Sequence, residues 1–148
     1  MNNFLVNLEG RKLVEIELLK RGATSVTTGG NRKKYLSVKN RKNHEINLKV
    51  KAKRKGDWQT TIDEAIGFNT QRNSEVVINY WVFVEICDKP NFWVVPDKWI
   101  RNNIYVEHQK YLEKNNGHRP KNDDSNHHSI EEHRLVEWNE RWDILEIA

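Results

Sequence analysis

The sequence predicts a mixed α/β domain, and three observations carry that prediction. A segment of helical period, "EGRKLVEIELLKRG", closes on a glycine. Two later stretches alternate apolar and polar residues with a period of two. A near-continuous apolar and aromatic run, "VVINYWVFVEI", has the length and composition of a strand covered on both faces. At 148 residues the chain is the size of one ordinary domain and can bury a core without disulfides or structural metals, so a single domain over residues 1–148 is expected.

The elements follow in order. Leu13, Val14, Ile16, Leu18 and Leu19 give an amphipathic helix over residues 9–21, with Gly22 as its left-handed cap. "ATSVTTGGN" is β-branched and then broken by Gly-Gly, which reads as a strand. "KKYLSVKN" and "HEINLKVKAK", joined by the turn-prone "NRKN", read as a hairpin. In its second strand Ile46, Leu48, Val50 and Ala52 share one face, while Glu45, Asn47, Lys49, Lys51 and Lys53 share the other. Past Gly56 the pattern predicts a loop, a helical turn at "TTIDEAI" and a second loop through "FNTQRNSE". The strand "YWVFVEI" follows, with "NFWVVP" as its neighbour. Pro96 and Asp97 then open a helix through "DKWIRNNIYVEHQKYLEKN", with Asp97 as its candidate cap, ending near Gly117. "GHRPKNDDSNHH" reads as a loop, and "SIEEHRLVEWNERWDIL" as a last helix. Ser129 and Glu132 have capping-box spacing there, and Leu135, Val136, Trp138, Trp142 and Leu145 form its stripe. The expected order is helix, five strands, helix, helix, the last two forming a C-terminal helical extension.

Composition narrows the setting. The one cysteine, Cys87, lies within "YWVFVEIC", so a buried thiol and a reducing cytoplasm are expected in place of a disulfide framework. The opening "MNNFLVNLEGRK" lacks an export pattern, and no stretch approaches the roughly 20 apolar residues that span a bilayer; a membrane partner is not expected. Most of the six tryptophans sit beside aliphatic residues, where the ring serves a core. No glycine-rich phosphate loop, dinucleotide fingerprint or Gly-x-Ser-x-Gly elbow occurs.

Net charge is only +4, but it is segregated. Residues 32–55 hold eleven Lys or Arg against one acid, Glu45, whereas residues 56–148 hold ten against seventeen. Lys49, Lys51, Lys53, Arg54 and Lys55 with the nearby Trp58 combine cations for phosphates with a ring for a base. Lys33 and Lys34 add to them from the adjoining strand, alongside Arg32, Lys39, Arg41 and Lys42. The plainer account is a lysine-rich edge guarded against strand pairing, with Trp58 packed and not stacking. The expected partner is nucleic acid.

The helix "GRKLVEIELLKRG" with its glycine, acid, paired leucines and closing "RG", the strand "KKYLSV" and the strand "INLKVKAKRKGDW" resemble the restriction-endonuclease-like PD-(D/E)xK nucleases, archaeal Holliday-junction resolvases among them. The likeness covers residues 9–96. It implies a mixed sheet flanked by helices, with "INLKVKAK" and "YWVFVEI" as central strands. It favours DNA over RNA and extends to this chain the homodimer common in the superfamily. In that family a helix acid, a strand Asp and a Glu two residues before a Lys converge on Mg²⁺ or Mn²⁺, which polarises the phosphate and acidifies the attacking water. By resemblance Glu15 takes the place of the helix acid and Lys51 that of the lysine. Tyr35, Leu36 or Ser37 stands where the strand Asp belongs, and Lys49 stands where the Glu belongs, replacing attraction for a cation with repulsion.

Three functions remain open. The first is a nucleic-acid-binding protein with a nuclease-like fold lacking the standard metal site and needing no cofactor. The second is a Mg²⁺- or Mn²⁺-dependent endonuclease whose site has migrated to carboxylates such as Asp57. The third is a domain that binds an acidic protein partner. Separately, Asp123, Asp124, His127, His128 and His133 are of the types that hold zinc, or that could form a rebuilt acid and base group. Their spacing matches no strong metal motif, and a polar loop running into a helix start is the plainer account.

Overall fold

The computed structural model describes residues 3–29, 35–65, 77–115 and 127–147. The chain runs α1 (Asn3–Lys20), β1 (Val26–Gly29), β2 (Tyr35–Lys39), β3 (Glu45–Lys53), β4 (Trp58–Thr61), β5 (Tyr80–Glu85), β6 (Asn91–Pro96), α2 (Asp97–Lys114) and β7 (His127–Ile130). Short 3-10 segments occupy Ile62–Glu64, Glu132–Trp138 and Trp142–Leu145. Five strands form one mixed sheet in the order β1-β2-β3-β5-β6, and β4 pairs with β7 in a separate two-stranded sheet. The central pair β3 and β5 is parallel, Lys51 lying opposite Phe83; the remaining neighbours are antiparallel. Among the described residues no helix is long and apolar enough to cross a membrane.

Alternation along the strands builds two cores on opposite faces of the sheet. On the first face Leu36, Val38, Ile46, Leu48, Val50, Val82, Val84 and Val94 meet Val14 and Leu18 of α1. On the second, Trp81, Phe83, Trp93 and Val95 meet Ile100 and Ile104 of α2, Trp58 of β4 and Ile130 of β7. Trp58 stands edge-on to both Phe83 and Trp93 and donates its indole N–H to the Val84 carbonyl. β3 contributes aliphatic residues to the first core but lysines to the second face, so the aromatic core stops at its lysines.

Local chemistry explains the boundaries. α1 ends in a Schellman cap: Gly22 takes a φ of 112°, Ala23 N–H donates to Leu18 O at 3.0 Å, and Gly22 N–H donates to Leu19 O at 3.2 Å. The helix begins six residues before the expected residue 9, because Val6 is buried and the Asn7 side chain accepts from the Ala52 N–H. In the β2–β3 turn the Asn40 side chain accepts from the N–H groups of Lys42 and His44.

Several sequence expectations require correction. β4 and β7 were expected as loop and as the entry to a helix; they are paired strands, with Ser129 opposite Gln59 and bonded to its side chain rather than serving a capping box. Asp97 is the first residue of α2, not its cap, and its carboxylate instead accepts from Trp81 Nε1 and Arg101 Nε. The last helix is instead two 3-10 segments. Leu135 belongs to the second core and Trp142 and Leu145 to the first, so the chain must pass around the β6 edge between them. It does so at Asn139 and Glu140, which bond to the Phe92 carbonyl, with Glu140 at a φ of 56°; an unbroken helix could not make that passage. Val136, expected in a buried stripe, is 75% exposed. Cys87 is exposed too, because β5 stops at Glu85 and the cysteine falls in the following turn. The loop expected through residues 68–75 and the helix end expected near Gly117 lie outside the described residues.

The approach of α1 to β3 depends on Gly10, where a Cβ would stand 2.5 Å from the Cβ of Ala52. Neither methyl can rotate away. Gly10→Ala is therefore expected to destabilise the fold by about 1–3 kcal/mol despite the better helix propensity of alanine. Thermal unfolding checks this, and adding Ala52→Gly should recover part of the loss; equal melting points for Gly10→Ala and the parent would contradict the packing.

Candidate functional site

The lysine face of β3 is a series of ammonium groups at the margin of the aromatic core, each with its own partner. Lys49 Nζ lies 4.6 Å from the Trp81 ring centroid and 3.0 Å from Glu64 Oε1. Glu64 is also gripped by Arg101 at 3.1 Å, and Arg101 pairs with Asp97 at 3.0 Å. Burial alone would push the Glu64 carboxyl up, but Lys49, Arg101 and Lys51 outweigh it and hold it below its ordinary range. Lys53 is buried over the Trp58 ring, donates to the Gly56 carbonyl and faces Glu85 and Glu132 at 3.8 and 3.7 Å.

Lys51 differs from both in that, among the described residues, no carboxylate lies at ion-pair distance from it; its ammonium donates to the Gln59 carbonyl at 3.2 Å. Burial lowers its pKa, the Lys49 charge lowers it further and Glu64 partly opposes, leaving it at about 8. Lys51 lines a groove of about 780 Å³ between the start of α1 and the β3–β4 turn. Lys53, Arg54 and Lys55 line it too, with Asp57 as its acid and Asn7 and Gln59 as neutral polar groups. Arg54 and Lys55 are exposed at its rim, where one guanidinium nitrogen of Arg54 donates to both Glu9 carboxylate oxygens at 2.7 and 2.8 Å.

The groove thus brings together Lys51, Lys53, Arg54 and Lys55. Lys49 is committed to the Glu64 network. Trp58 is 1% exposed, which removes its ring as a platform for a base. Lys33 and Lys34, with Arg32, lie outside the described residues. Glu15 sits half-buried on α1, which covers the first face of the sheet, whereas Lys51 belongs to the second; the two positions matched by resemblance are not brought together. The residues at the family's metal positions therefore do not fit Mg²⁺. Among the described residues, no group of three or more His, Cys, Asp or Glu side chains is placed to hold a metal ion.

A second cluster forms where α2 meets β7. His108 and His128 are both buried, their rings 6.3 Å apart and nearly perpendicular. They line a cavity of about 460 Å³ with His127, Tyr111 and Arg134. Arg134 contacts His128 Nε2 at 3.0 Å and also bonds Asn103, Ser129 O and Glu131. A guanidinium only donates, so in a hydrogen bond between them Nε2 is the acceptor. His133 points to solvent with a side chain 77% exposed, and Asp123 and Asp124 lie outside the described residues. His108 and Arg134 had no signal in the sequence beyond a position on a helical stretch.

No protein-family model, no curated protein and no solved structure matches this chain.

Lys51 carries a stability cost that can be measured. An ordinary lysine in the unfolded chain titrates near 10.4, so between pH 8 and 10.4 the unfolded chain binds more protons and stability rises with pH. Below pH 8 the full cost applies, about 1–2 kcal/mol after allowing for solvent screening of a partly exposed group. Lys51→Met is expected to stabilise the protein by that amount at pH 7 and by progressively less toward pH 10. Denaturant unfolding of both proteins across this range checks it; a destabilised variant, or a constant difference, would contradict the assignment.

Proposed function

We propose that this protein binds nucleic acid, double-stranded DNA in the first instance, through the groove that runs past Lys51 at the end of β3. The observation that carries this reading is the groove itself, lined among the described residues by four cationic side chains and one acid, with one of the cations held at a cost to stability. Lys51 and Lys55 supply charge for phosphates. Arg54 joins them readily, because an exposed pair such as Arg54–Glu9 is worth no more than about 1 kcal/mol and a phosphate can displace it. Lys53 shapes the groove wall while its charge is met by Glu85 and Glu132. A phosphate beside Lys51 favours its charged form, so binding takes up a proton.

The second reading, a Mg²⁺- or Mn²⁺-dependent nuclease, rests on Asp57 sharing the groove with Lys51. A lone carboxylate is a weak divalent site, and binding without cleavage is the better-supported reading. A cytoplasmic setting and a homodimer remain part of the proposal, from cysteine usage and from resemblance.

Duplex binding over a salt series tests this. The logarithm of the affinity should fall with the logarithm of salt with a slope of about −2 to −3, for two or three phosphates neutralised. Lys51→Ala and Lys55→Glu should each weaken binding and flatten that slope by about one, whereas Lys49→Gln should not flatten it. Raising the pH from 7 to 9 should cost about three- to tenfold in affinity as Lys51 loses its proton. Strand cleavage that requires Mn²⁺ and Asp57 would replace this reading with the nuclease. Absence of binding at low salt would overturn both and point to an acidic protein partner.

A further inference from the structure

Lys51 has a feature that phosphate binding does not use. Lys49 is paired with Glu64, and Lys53 with Glu85 and Glu132. Among the described residues no carboxylate lies at ion-pair distance from Lys51, whose ammonium donates to the Gln59 carbonyl, so no salt bridge has to break when the amine loses its proton. It does so within an open groove whose rim carries the exposed cations Arg54 and Lys55 and whose wall carries Asp57. A deprotonable amine beside anion-binding side chains is the equipment of a site that captures a carbonyl compound bearing phosphate.

We propose that Lys51 forms an imine with an aldehyde that carries phosphate. Under the nucleic-acid reading, on which this rests, that aldehyde is the ring-opened sugar of an abasic site, flanked by two phosphodiesters. The neutral amine adds to the carbonyl carbon: the N–C bond forms, the C=O π pair moves to oxygen, and oxygen takes up a proton as nitrogen loses one. The resulting hydroxyl leaves as water with a proton drawn from solvent, giving a protonated imine. That cation acidifies the neighbouring C2–H. Loss of this proton to water gives an enamine, whose electron pair forms a C2=C3 bond as the C3–O bond breaks and the 3′ phosphate departs. Water then hydrolyses the imine and returns Lys51. No oxidant, reductant or metal is required.

Geometry and titration agree. With Lys51 titrating at about 8 in the free protein, roughly a tenth of the amine is neutral at pH 7 before DNA binds, against on the order of one part in a few thousand for an ordinary lysine. Capture should therefore accelerate as pH rises from 7 and level off only above the midpoint that the bound duplex has raised, while duplex affinity falls over the same range. The opposite slopes separate the two properties.

The experiment is borohydride trapping of the full chain on a labelled duplex with a single abasic site, beside an undamaged duplex and beside pyridoxal 5′-phosphate as a free phosphorylated aldehyde. The expected result is a covalent complex with the abasic duplex that survives a denaturing gel and maps to the Lys51 peptide. Lys51→Arg keeps a cation, removes the amine and should abolish the adduct while retaining measurable salt-sensitive binding; its melting point checks that it folds. Trapping of pyridoxal phosphate at Lys51 without duplex binding would keep the imine chemistry and overturn the nucleic-acid source. Normal binding to undamaged duplex with no adduct, or an adduct on another lysine, would overturn the proposal and leave the binding reading standing.

Discussion

Everything in this structure is arranged around a mismatch on one face of one sheet. β5 and β6 present Trp81, Phe83, Trp93 and Val95, which demand a cover, while the adjacent β3 presents Lys49, Lys51 and Lys53, which demand partners. A buried ammonium without a partner is costly, and an aromatic face without a cover is equally unfavourable in water. The β4–β7 sheet and α2 meet the first demand. The second is met by Gln59 O of β4, the acids Glu64 and Glu132, and two indole faces. The groove lies where this cover ends. Among the described residues Lys51 is the member of the series with no carboxylate at ion-pair distance, and its burial beside Lys49 lowers its pKa.

Much of the fold was legible because its signals are local or strongly periodic. α1 and its glycine cap and the β2–β3 hairpin with its asparagine turn follow from spacing and turn chemistry, and the apolar run of "YWVFVEI" marks a strand covered on both faces. What was not legible depends on long-range pairing. β4 and β7 are four residues each, too short to show alternation, and each is a strand only because the other lies alongside it. The stripe from Leu135 to Leu145 imitates a helix because apolar residues recur at helical spacing. The structure spends them on two different cores, on either side of the β6 edge. Cys87 misled for a simpler reason, since an apolar run can outlast its strand by two residues.

The candidate site divides in the same way. Alternation along β3 placed the lysines on one face correctly, but could not show that this face is the margin of a core and not open surface. Trp58 and Lys53 were therefore assigned to a nucleic-acid surface when burial removes one and ion pairs occupy the other. Resemblance paired Glu15 with Lys51, and the sheet separates them. What no sequence pattern announces is that Lys51 would meet a carbonyl while Lys49, two residues away, meets a carboxylate. That difference is set by Gln59 and Glu64, residues of the missed strand and of the turn that follows it.

The proposed function rests on Lys51 being an amine of lowered pKa in a cationic groove. Its most direct test is to follow the titration of its own side chain by NMR, with lysines isotopically labelled and Lys51 assigned by comparison with Lys51→Arg. The midpoint should lie at about 8 in the free protein and move upward when a short DNA duplex is added. A midpoint near the ordinary 10.4, unchanged by the duplex, would mean that the ammonium is well solvated and the groove is not the functional site.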